Sequence, residues 1–404
     1  MADIYNIDRS FERIRKKIRE DTTISNHNRE IIEKFTRNCI SNENVGKSRM
    51  QRYLYDLIKI GRFLGSKKFE ETTRKDIEDI LDKFISLRSY SPRTILDFKK
   101  TLKKFYKWLR GTENAPPEVS WLKSNNCDDK ERGNKILTEE EIGKLIEIGV
   151  TPFEKCFVSM LYETGCRIGE IANIKIGDLE FLDGKVIIGV NGKTGYRKIM
   201  IKNSIPFLEE YLNHHPDRKN KSAPLWYGSK KYIGSYRYFS QVLEELGRKA
   251  GIKKPVNPHN FRHSRATVLA GILPESVLCE YMGWAQGSKM ASVYVHLSGK
   301  RTLEIVGEKV YGEKTEKEII KDIDKKLKPI ICPHCKKKNP PTNAFCSCGQ
   351  ILDFSLLSKE DKEIEKLKSV YVELLRKDDV QEFLVEALKK IIKENPDILK
   401  GLEL

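Results

Sequence analysis

The chain reads as a mainly α protein with one small β-hairpin region, continued by a cysteine-bearing module and further helices. Three observations carry that reading. Ser91–Arg110 repeats apolar residues at helical spacing, with Ile95, Phe98, Leu102, Phe105 and Leu109 on one stripe. Two strand-like runs, Lys185–Val190 and Arg197–Ile201, flank a short polar turn. Cys332, Cys335, Cys346 and Cys348 gather within "CPHCKKKNPPTNAFCSCGQ". With 404 residues and 39% hydrophobic content, the chain is long enough for two or three domains with real cores.

In chain order, residues 1–26 are charged and read as a helical arm. Residues 27–111 are patterned as helices throughout. In the last of these, Ser91 suits the cap, Pro92 suits the first turn, and Lys99, Lys100, Lys103, Lys104, Lys107 and Arg110 cover the polar side. Residues 112–134 hold Pro116, Pro117 and a polar run, the composition of a linker. A larger domain, 135–312, opens at "LTEEE", where Thr138 and Glu141 fit a capping box, and contains the hairpin region. A charged connector, 313–328, leads to the cysteine module, 329–352. The remainder, 353–404, carries two amphipathic stripes. Ile364, Leu367, Tyr371 and Leu374 form one, and Val380, Phe383, Leu384, Ala387, Leu388 and Ile391 form the other.

The net charge of +17 points to a polyanionic partner, although charge alone does not separate nucleic acid from a membrane surface. No run of about twenty apolar residues reads as a membrane span. The opening "MADIYNIDRS" lacks the basic and apolar regions of a signal peptide, so a cytoplasmic, nucleoid-associated protein is expected. Of the nine cysteines, Cys39, Cys127, Cys156, Cys166 and Cys279 are scattered and read as reduced, small apolar residues. The other four pair as C-x-x-C and C-x-C across a ten-residue loop. That arrangement resembles a short zinc ribbon, in which four thiolates hold one structural zinc and leave no position open for chemistry. His334, inside the first knuckle, is a possible substitute ligand.

Six residues carry the chemistry: Arg167 in "ETGCRIGEI", Lys193 in "NGKTGYRK", and His259, Arg262, Trp284 and Tyr294 in "PHNFRH…MGW…VYVHL". Attack on a phosphodiester spreads negative charge over the equatorial oxygens, and guanidinium forks stabilise it best. A phenol with an ordinary pKa of about 10 can serve as nucleophile if a base or a cationic pocket helps it ionise. The leaving alkoxide needs a general acid.

The order and spacing of these residues resemble the signature of the tyrosine recombinases, the phage-integrase family, over about Ile136–Lys309. The resemblance implies a two-domain C-shaped clamp on double-stranded DNA, made of a helical core-binding domain and a catalytic domain, with no cofactor for catalysis. Tyr294 then stands at the nucleophile position. His259 and Arg262 fill the H-x-x-R pair, with His259 as general base and phosphate ligand. Arg167 is the first arginine of the clamp, Glu170 a supporting acid, and Lys193 the hairpin acid. Trp284 occupies a place where most members have histidine; its indole N–H can donate a hydrogen bond but cannot shuttle protons. His263 reads as a supporting, hydrogen-bonded histidine. In the core-binding domain the six cations from Lys99 to Arg110 would track phosphates. The segment Lys300–Val310 would form a helix of the kind that relatives pack onto a neighbouring protomer.

The function expected is a site-specific recombinase working through a 3′-phosphotyrosine as a homotetramer on paired sites, with an accessory protein as a further partner and no membrane. The extra C-terminal module points to integration or excision of a mobile element. The alternatives are type IB topoisomerase-like relaxation, chromosome dimer resolution, a non-catalytic DNA-binding regulator and a zinc-ribbon interaction protein.

Overall fold

The computed structural model describes residues 4–87, 90–123, 136–192, 195–228, 232–297 and 327–353. Lys193, residues 124–134 of the linker, the segment Lys300–Val310, nearly all of the connector and both amphipathic stripes beyond Ser358 lie outside the described residues. The chain divides into two compact units, 1–136 with 233–241, and 137–232 with 242–404.

The first unit is a helical bundle of α1 (Ile7–Glu20), α2 (Asn26–Ser41), α3 (Lys47–Leu64), α4 (Arg74–Leu87), α5 (Pro92–Arg110) and the short α6 (Pro117–Ser120). Helix α1 buries Phe11, Ile14 and Ile18 in the same core as Phe35, Leu54, Leu57, Phe98, Leu102 and Phe105. Helix α5 begins where the Ser91 hydroxyl accepts the Thr94 N–H at 3.2 Å. It ends at Gly111, whose φ of 62° is left-handed backbone that glycine adopts at little cost. Along it Phe98, Leu102 and Phe105 are buried, and the Phe105 ring meets Phe35 and Phe69 edge-on at 5.3 and 4.8 Å. Truncating such a ring to alanine costs about 3–5 kcal/mol.

The second unit contains α7 (Glu139–Ile148), α8 (Pro152–Thr164), α9 (Ile168–Ile171), β1 (Leu179–Leu182), β2 (Lys185–Gly192), β3 (Gly195–Ile201) and α10 (Ile205–Asn213). Helices α12 (Pro258–Ala270), α13 (Glu275–Met282) and α14 (Lys289–Leu297) follow, while α11 (Tyr236–Lys249) runs from one unit into the other. The three strands form an antiparallel sheet in the order β1-β2-β3, with Gly192 opposite Gly195 at the end nearest the turn. Buried α8 lies at the centre, beside Trp226, whose indole N–H donates to the Ile171 carbonyl at 2.6 Å. Thr138 and Glu141 form the capping box expected at the start of α7. Two short strands, β4 (Ile330–Ile331) and β5 (Lys338–Asn339), form the cysteine module. No described helix is long and apolar enough to cross a membrane.

Candidate active site

Each described site residue sits at an element terminus or on a helix face that converges on the end of α13. Helix α8 stops at Gly165, with φ of 58°, and Arg167 follows at the entrance to α9. A side chain on Gly165 would be strained by that backbone and would crowd Arg265. Helix α12 starts with Asn257 accepting the Asn260 N–H, and its His259, Arg262 and His263 occupy positions i, i+3 and i+4, a single face. Helix α13 ends at left-handed Gly283, which delivers Trp284 beside that face. Helix α14 packs on α12 and α13 and brings in Tyr294.

Three arginines meet three consecutive carbonyls at the end of α13. Arg197 Nε donates to Tyr281 O at 2.8 Å, Arg262 Nη2 donates to Met282 O, and Arg167 Nη2 donates to Gly283 O at 2.9 Å. The last carbonyls of a helix lack intrahelical donors and carry partial negative charge, so cations stabilise them. Arg262 also donates to Gly165 O at 3.0 Å, which ties α12 to the α8 turn. Its guanidinium lies 5.5 Å from the centre of the Trp284 ring.

One buried carboxylate balances this positive charge. Glu170 accepts Arg167 Nη1 at 2.9 Å, Arg197 Nη1 at 3.0 Å and Nη2 at 2.7 Å, and the Arg167 backbone N–H at 2.9 Å. Burial pushes its carboxyl up, but the hydrogen bonds and charge of Arg197 and Arg167 outweigh that and hold it below the usual range. Burial and the nearby Arg167 lower Arg262 to about 10. The cluster is thus short of negative charge, and Arg167 keeps 34% of its side chain exposed. A pocket so built attracts an anion.

The rest of the site is aromatic. Tyr294 is 2% exposed and stacks on Trp284 with centroids 5.3 Å apart and planes 4° from parallel. Its hydroxyl shares a hydrogen bond with His263 Nδ1. His259 is exposed and sets its ring edge-on to His263 at 4.1 Å. His263, to which the resemblance gave a supporting place, meets the phenol, and His259 packs against His263. Sequence reasoning also passed over Arg197. A signal was present, because Arg197 shares a face of β3 with buried Ile199 and Ile201, and an arginine on the apolar face of a strand needs a buried partner.

Of the six cations expected to track phosphates, Lys104 is engaged by Glu43, and Arg110 pairs with Glu118 at 2.7 Å. Lys99, Lys100, Lys103 and Lys107 have no carboxylate partner among the described residues. In the cysteine module, the sulfurs of Cys332, Cys335, Cys346 and Cys348 all lie within 4.8 Å of one another. Cys332 and Cys348 are 3.6 Å apart, and Cys335 and Cys346 are 3.5 Å apart. Four thiolates at about 2.3 Å from one tetrahedral ion would be about 3.8 Å apart, so this donor set fits a soft metal and does not need His334.

Arginines gathered at the end of α13, beside a tryptophan on which a buried tyrosine stacks, have the chemistry of a phosphoryl-transfer site. Residues 135–301 match the phage integrase family. The chain is 32% identical over 287 residues to the tyrosine recombinase XerA of Pyrococcus furiosus, covering 69% of this chain and 93% of that protein. It is 26% identical over 292 residues to a tyrosine recombinase of Thermosipho africanus, covering 68% of this chain and 98% of that protein. Among solved structures, XerH site-specific recombinase bound to palindromic difH substrate matches with a TM-score of 0.52 at 20% identity, over 78% of this chain and 98% of that one. A lambda integrase dimer bound to a core site matches with a TM-score of 0.54 at 16% identity, over 67% and 78%. The chain belongs to the phage integrase family of tyrosine recombinases and is a tyrosine-type site-specific recombinase.

Proposed function

We propose that this recombinase cleaves one strand of a DNA duplex with Tyr294 and rejoins it to a partner strand. The Tyr294 oxygen attacks phosphorus, the phenolic proton passes to His263, and the P–O5′ bond breaks as Lys193 protonates the departing oxygen. A 3′-phosphotyrosine and a free 5′ hydroxyl result. Arg167 and Arg262 bear the charge that develops on the phosphoryl oxygens, His259 adds a phosphate contact, and Trp284 holds the phenol in plane. The covalent bond conserves the energy of the phosphodiester, so the reverse attack by a partner's 5′ hydroxyl needs no nucleotide. The observation that carries this reading is the Tyr294–His263 hydrogen bond on the face of α12 that also presents Arg262.

Two such strand exchanges require paired duplexes and hence a tetramer, with an accessory protein as a further partner. Lys99, Lys100, Lys103 and Lys107 would grip phosphates without reading sequence, and one structural zinc on the four cysteines would hold the ribbon. The chain carries about a third of its length beyond its match to the P. furiosus relative, which favours integration or excision of a mobile element over chromosome dimer resolution. A nicked suicide substrate tests the core of the proposal. Tyr294→Phe should bind DNA as the wild type does and form no covalent adduct. An adduct mapped to another tyrosine, such as Tyr281, would overturn it.

A further inference from the structure

We infer that Arg197 is the positioning residue of the catalytic hairpin, fixing the facing strand ends Gly192 and Gly195, between which Lys193 stands in the sequence, relative to the arginine–carboxylate cluster. This rests on Lys193 as the leaving-group acid. Lys193 lies between Gly192 and Gly195, which face each other across the ladder, and Arg197 stands two residues beyond Gly195 on β3. Its side chain is 9% exposed and spends its donors on protein groups: a two-point fork onto Glu170 and a third bond to Tyr281 O. All three of these bonds go to protein groups, which assigns Arg197 to the hairpin and not to the phosphate.

The hairpin is also in close contact with the group that Arg197 grips. A Cβ on Gly192 would lie 2.2 Å from Glu170 Oε1 and 3.2 Å from Arg197 Nη1. The strand therefore reaches the turn while touching the carboxylate that also holds Arg167, and glycine is required for that approach. Neighbouring Lys198 has no such role: its side chain is 63% exposed, and it faces Glu180 on β1 at 3.6 Å. Arg197 has a second consequence. By taking both oxygens of Glu170, it shares the carboxylate with Arg167 and keeps that arginine from being wholly neutralised.

The test compares strand cleavage by wild type, Lys193→Ala, Arg167→Ala and Arg197→Lys on two duplexes. One is ordinary, and the other carries a 5′-bridging phosphorothiolate, whose sulfur leaves without a proton. Hydrogen exchange of segment 186–199 is followed in parallel. Lysine keeps the charge against Glu170 but cannot make the fork and the third bond together. Arg197→Lys should cleave the ordinary duplex slower by on the order of 10²-fold, the effect of a 1 Å misplacement. It should regain most of that loss on the phosphorothiolate, and its turn amides should exchange faster. Arg167→Ala should stay slow on both. If Lys193→Ala recovers while Arg197→Lys does not, Arg197 acts through the phosphate pocket and the inference is overturned. If Lys193→Ala fails to recover, the acid assignment falls instead. Exchange then decides: a faster turn in Arg197→Lys sustains the hairpin anchor, and an unchanged turn overturns it.

Discussion

The two sides of the reaction centre are held in different ways. On the phosphate side, Arg167, Arg197 and Arg262 are each fixed at two or more points, to a backbone carbonyl of the α13 end and to Glu170 or the Gly165 carbonyl. On the side of the proposed nucleophile, Tyr294 sits in the apolar core shared by α12, α13 and α14, stacked on Trp284 and hydrogen-bonded to His263. Charge stabilisation works best when donors are already in place, because no energy is then lost in reorienting them as charge develops. A nucleophile has the opposite need. As the proposed nucleophile, Tyr294 is 2% exposed in this structure, so reaching a phosphodiester would call for a change in how α14 packs on α12 and α13.

This contrast breaks if substitutions on the two sides behave alike. The largest effect on cleavage is expected for Arg262→Ala, which removes a proposed phosphate donor and leaves two buried carbonyls without this partner. Cleavage should fall by roughly 10²–10³-fold, the loss seen for a single preorganised donor. Thermal unfolding should also show a cost of about 1–3 kcal/mol for unsatisfied buried groups. A variant with full stability would mean that the carbonyl contacts do not organise the pocket.

Glu170→Gln comes next. It strands buried guanidinium charge, and breaking such a network costs about 3–5 kcal/mol. Its pH dependence sharpens the point. The carboxyl is held below its usual range in the fold, so its stabilising contribution is fully present above about pH 4.3. That contribution is lost as pH falls through the lower folded value. The stability gap between wild type and Glu170→Gln should therefore close in acid titration, and a gap that widened with acid would reverse the assignment.

Trp284→Ala, on the nucleophile side, should lose only the stack, worth about 0.5–1.5 kcal/mol beyond its buried area, together with the cation–π contact. Covalent adduct should form about tenfold slower or less, while DNA affinity stays the same. Complete loss of adduct would place Trp284 in the chemistry rather than beneath the phenol. The smallest effect on cleavage belongs to the ribbon. Chelation of a bound metal should unfold the module, because four thiolates then lose their common ion. Cleavage of a single site should persist, since no ribbon residue joins the polar network around Glu170. Loss of cleavage with the catalytic unit intact would assign the metal to the active site.

Much of this protein was legible in its residues. Helix α5, with its cap, its leading proline and its closing glycine, follows from local chemistry that acts within a few residues. The capping box of α7 and the hairpin strands are local in the same sense. Arg167, Arg262 and Tyr294 stood out because their types and order fit one reaction, and the four cysteines because their spacing fits one ion. Other features are decided only by packing. His259 and His263 share a helix face, so spacing could not tell which one meets Tyr294; the docking of α14 selects His263. Arg197, Glu170 and the α13 carbonyls come together from positions up to 113 residues apart, and nothing local marks them as one cluster. Sequence determined which groups could do the chemistry, because residue type and short-range periodicity are local. Tertiary structure decided which of them touch, because a buried charge or a buried phenol takes its partner from whatever segment the core brings beside it.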